Sequence, residues 1–73
     1  MYQITYYRDR AMTRRAADSD TISDAAIAKY PAPKGRETAV ARHSDDPSLT
    51  RYGFNGAWHK LPPQESRDAY GEG

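Results

Sequence analysis

A chain of 73 residues with a formal net charge of +1 and no cysteine is one small domain with a thin core, and disulfide staples, thiolate catalysis and zinc–thiolate sites are excluded. The hydrophobic share is 37%, mainly Ala and Tyr, which bury little area or keep a polar end. Charge falls in blocks of +3 over residues 1–17, −3 over 18–24, +3 over 25–42, −2 over 43–50, +2 over 51–61 and −2 over 62–73, a pattern that weighs against both a DNA mimic and a dedicated duplex-DNA binder.

From Tyr2 to Arg8 the chain alternates Tyr2, Ile4 and Tyr6 against Gln3, Thr5 and Tyr7, the period of a strand with one face buried. A second strand around Met12 to Ala17 is expected, although Arg14 to Ala17 suits a short helical turn equally well, and residues 12–17 stay open between the two. Ser19, Asp20 and Thr21 stand ahead of Ile22, Ala26, Ile27 and Tyr30 at helical spacing, so a capped helix is predicted to end at Pro31 and Pro33 with Lys29 in its last turn. Thr38, Val40 and Arg42 then alternate with Ala39, Ala41 and His43 as another strand, and Asp45 to Ser48 supplies turn chemistry.

The sharpest local signal is Asn55-Gly56 between two β-prone runs, 49–54 and 57–61. This dipeptide supplies the two positive φ angles of a type I′ turn. A two-residue loop sets Phe54 opposite Ala57, Gly53 opposite Trp58, Tyr52 opposite His59 and Arg51 opposite Lys60. After Leu61, two prolines and a polar, aperiodic run predict a flexible tail over 62–73. The expected fold is α+β: a small antiparallel sheet of three to five strands with one helix packed on it, order β(β)αβββ, in a single domain over residues 1–61.

Catalytic, cofactor and metal sites are not expected. His43, Ser44, Asp45 and Asp46 hold the residue types of a hydrolytic triad, but strand neighbours point to opposite faces. A metal site would need His43 and His59 to meet across the sheet, with no spacing motif to support it. The glycines lack phosphate-loop spacing. Two basic, aromatic groups remain as candidate partner-binding surfaces. Arg51, Trp58 and Lys60 form one, as an interface or as an edge-strand guard in which Trp58 covers Gly53. Tyr6, Arg8, Arg14 and Arg15 form the other, able to stack bases and hold phosphates of a single strand. The competing reading makes those arginines a solvated face paired with Asp18, Asp20 and Asp24.

The Tyr/Ile-rich first strand, the Ala-rich capped helix from Asp20 to Tyr30, and the short meander closing on Asn55 to Leu61 resemble the layout of small phage-encoded anti-CRISPR proteins over about residues 1–61. The resemblance is of length and element order, and it carries no residue over by position. It implies a non-catalytic phage or mobile-element inhibitor that binds a host CRISPR surveillance complex and blocks DNA binding or nuclease recruitment. The alternative is a small single-stranded nucleic-acid-binding module. A host protein or ribonucleoprotein is the expected partner, a second copy of the chain would also offset the undersized core, and no apolar run reaches bilayer length, so the expected setting is the host cytoplasm.

Overall fold

The computed structural model describes residues 1–64, the side chains of residues 17 and 18 apart. Five strands form one antiparallel sheet: β1 (Tyr2–Tyr7), β2 (Arg15–Ile22), β3 (Thr38–His43), β4 (Arg51–Phe54) and β5 (Ala57–His59). Their spatial order is β2-β1-β3-β4-β5. The last three strands follow one another as the meander that their turn residues dictate. Asn55 at φ 54° and Gly56 at φ 77° close the final hairpin, and Phe54, Gly53 and Tyr52 face Ala57, Trp58 and His59.

The expected α+β fold with a packed helix is not what the chain forms. Asp20, Thr21 and Ile22 belong to β2, opposite Ile4, Gln3 and Tyr2, and the predicted helix is reduced to one 3-10 turn over Ala26–Ala28. Among the described residues no helix reaches seven residues. Topology explains the difference. Both β2 and β3 pair antiparallel with β1, so they run parallel to each other and the chain must travel back along the whole sheet between them. A six-residue strand spans about 20 Å. Between Ile22 and Pro31 only eight residues are free for a helix, which would cover about 12 Å. Residues 23–37 therefore cross the sheet without a helix, through turns around the 3-10 segment at Ala26–Ala28, an irregular stretch over 31–34 and a turn at Gly35 and Arg36. The open choice at residues 12–17 resolves to a turn followed by strand from Arg15, with a register shift between Thr5 and Tyr7.

The crossover lies on the face that presents Tyr2, Ile4, Ala39 and Ala41, which form the buried cluster. Ile22, Ile27, Tyr30, Leu49 and Trp58 pack around it. Full burial of Ile4 contributes about 1.5–3 kcal/mol, a large share for so small a core. The small residues of β3 and β4 let the covering groups approach the sheet closely. On the opposite face Val40 and Thr38 are buried, and Phe54 stacks on His59 at 4.0 Å between ring centroids. Of the tail expected over 62–73, Pro63 is buried and residues 65–73 lie outside the described residues. No helix among the described residues is long and apolar enough to cross a membrane.

Candidate functional site

The hairpin register decides where the first candidate group lies. Arg51 faces Ala41 and Trp58 faces Gly53, itself opposite Ala39, so Arg51 and Trp58 share the crossover face of the sheet. The indole lies flat on Gly53: a methyl group placed there would stand 2.8 Å from Cζ3. Its Nε1 donates to the Tyr30 carbonyl at 2.8 Å. One ring face and the polar edge are thus fixed, as in the covering of a strand glycine by a cross-strand aromatic. The other side borders a groove of about 580 Å³ between the crossover and the hairpin, where Arg51, Trp58 and Lys60 meet Tyr2, Ile27 and Lys29.

This groove is cationic. Among the described residues, Lys29, Arg51 and Lys60 line it, no carboxylate does, and none of the three is in an ion pair. Arg51 donates one Nη1 hydrogen to the Thr50 carbonyl at 2.9 Å, leaving the rest of its fork for a ligand. Lys29 and Tyr30 were legible in the sequence only as helix residues, since nothing local says that the crossover passes beside β5.

The second candidate group is not assembled in one place. Tyr6 is on the crossover face, and its hydroxyl donates to Asp20 Oδ2 at 2.7 Å and meets the Tyr30 hydroxyl at 3.0 Å. Tyr30 donates to the same oxygen at 2.5 Å. Burial, then the bonds to Tyr30 and Asp20, push the Tyr6 phenol well above its usual range. The Tyr30 and Tyr6 hydroxyls hold the Asp20 carboxyl below the usual aspartate value. Arg15 pairs with Tyr7 across the ladder, on the face opposite Tyr6. Arg8 and Arg14 are exposed and linked through their backbones at 2.8 Å. Of the competing reading that paired these arginines with Asp18, Asp20 and Asp24, the Asp18 side chain lies outside the described residues, while Asp20 serves the two phenols and Asp24 bonds the Met1 amine at 2.5 Å and His43 Nε2 at 2.9 Å.

His43 and His59 do not meet, since one faces Tyr2 on the crossover side and the other stacks on Phe54 on the far side. Among the described residues no cluster of three or more His, Cys, Asp or Glu could hold a metal ion. His43 Nδ1 accepts from the Asp45 amide at 3.1 Å, which ties this part of the sequence into a turn. No protein-family model, curated protein or solved structure matches this chain.

Proposed function

We propose that this protein is a non-catalytic inhibitor that occupies the surface of a partner protein, the partner being a host CRISPR surveillance complex whose DNA binding or nuclease recruitment it blocks. The observation that supports a binding role is the groove in which Lys29, Arg51 and Lys60 surround an indole already fixed by Gly53 and Tyr30. A pre-positioned aromatic with adjoining Arg is the usual composition of an interface anchor, because little side-chain entropy is lost on binding. The resemblance that names the target counts an Asp20–Tyr30 helix among its elements, and the chain keeps the first strand and the closing hairpin without it.

An inhibitor acting by occupancy works at about one copy per site. A reconstituted RNA-guided nuclease titrated with the protein tests this, with complex formation followed by co-elution. Near-stoichiometric inhibition with a stable complex is the expected result, and it weakens on charge reversal at Arg51 and Lys60. Inhibition at strongly substoichiometric amounts, or no complex with any RNA-guided effector, would refute the reading. The alternative, a single-stranded nucleic-acid module, keeps exposed Arg8, Arg14 and Arg15 with Tyr7 opposite Arg15. It predicts binding that falls steeply as salt rises.

A further inference from the structure

We infer that the groove beside Trp58 receives a short, extended, acidic protein segment in which carboxylates flank an apolar or aromatic side chain. This deepens the binding role proposed above and rests on it. The argument begins with charge. Three cations line the groove with no carboxylate among the described lining residues, and the −3 block over 18–24 and the −2 block over 43–50 contribute none of that lining. A short acidic segment seated in the groove is attracted by these cations.

Shape gives the rest. A groove of about 580 Å³ has room for one large side chain and its neighbours, and Tyr2, Ile27 and Trp58 offer that side chain an apolar seat. Arg51 keeps most of its fork for a carboxylate, which it can grip in bidentate fashion. Lys29 on the crossover and Lys60 after β5 supply point charges on either side. β5 is an edge strand of the sheet. Because Phe54–Ala57 and Tyr52–His59 are the bonded pairs flanking the turn, Trp58 turns its peptide N–H and C=O toward that edge, where an extended segment can align.

Trp58 is the single tryptophan, so its emission reports occupancy directly. The test titrates the full-length protein with a blocked peptide carrying Phe between glutamates, with the same peptide carrying glutamines, and with a short oligothymidylate. A saturable emission change with the glutamate peptide is expected, with affinity about tenfold weaker for the glutamine version and for the Arg51→Glu, Lys60→Glu double variant. Lys29→Glu, on the crossover, gives an independent loss of affinity should the double variant fail to fold. Equal affinity for the two peptides, an unchanged affinity in both variants, or tighter binding of oligothymidylate would overturn the inference, the last assigning the groove to nucleic acid. No effector complex is present, so failure here is separate from failure of the inhibitor reading.

Discussion

Adding one methyl group at Gly53 tests whether Trp58 is held where the groove needs it. The new carbon would stand 2.8 Å from Cζ3 and 3.0 Å from Cε3 and Cη2 of the indole. Ordinary carbon contacts are about 3.5–4.0 Å, so the ring must lift by roughly 0.7–1 Å. Its Nε1 is tethered to the Tyr30 carbonyl at 2.8 Å, and a lift of that size strains or breaks the bond, at a cost of about 0.5–1.5 kcal/mol. Moving the ring off its rotamer adds about 0.5–1.5 kcal/mol. Gly53 has no positive φ, so Ala is tolerated by the backbone and recovers about 0.4–1 kcal/mol through the unfolded chain. The net destabilisation expected for Gly53→Ala is about 1 kcal/mol, a fall in Tm of about 4–8 °C for a domain of this size. Thermal unfolding by circular dichroism measures it, alone and in a double-mutant cycle with Trp58→Leu. With Leu at position 58 the Ala substitution should become neutral or stabilising. A Gly53→Ala protein as stable as the parent, with unchanged tryptophan emission, would refute the account of Trp58.

Gly56 has φ 77° with Lys34 Cε lying 3.4 Å from where a side chain would begin, so Gly56→Val is expected to cost about 1–3 kcal/mol in denaturant unfolding, and an unchanged midpoint would contradict the turn geometry. The Asp20 carboxyl is held below its ordinary value of 3.8 by the Tyr30 and Tyr6 hydroxyls. Its stabilising contribution is therefore present above pH 3.8 and lost as pH falls through the depressed value. Asp20→Asn should lower Tm at neutral pH and flatten the acid decline, the two curves converging at low pH, and parallel curves would count against the phenol–carboxylate cluster. Tyr6 titrates in the opposite sense: burial and its bonds to Tyr30 and Asp20 raise it above the ordinary 10.0, so stability is present below pH 10.0 and is lost as pH rises beyond it. Tyr6→Phe should be less stable at neutral pH with a shallower alkaline fall, read by Tm against pH, and an unaltered alkaline limb would exclude Tyr6 as its source.

The hairpin turn and its first three pairs were legible because their cause is local, whereas the strands, expected over 49–54 and 57–61 with Arg51 opposite Lys60, run only Arg51–Phe54 and Ala57–His59. Asn55 and Gly56 tolerate positive φ, a two-residue loop permits one register, and Gly53 opposite Trp58 follows from counting. The alternation of Tyr2, Ile4 and Tyr6 likewise marked a strand with one face inward. The segment from Asp20 to Tyr30 read as a helix because its cap and spacing satisfy the local rules for one. What overrode them was pairing: Asp20, Thr21 and Ile22 are taken up by β1, and the residues left before Pro31 are too few to carry a helix back along the sheet. The groove is a consequence of the same crossover. Tyr30 reaches Trp58 and Tyr6 reaches Asp20 only after β1 has been inserted between β2 and β3. Turn residues and side-chain alternation act over a few residues and are written in sequence. Strand order is fixed by which long-range pairings together bury Ile4, Ala39 and Ala41, and that competition involves the whole chain at once, so only the tertiary structure brings Lys29, Arg51 and Lys60 around one indole.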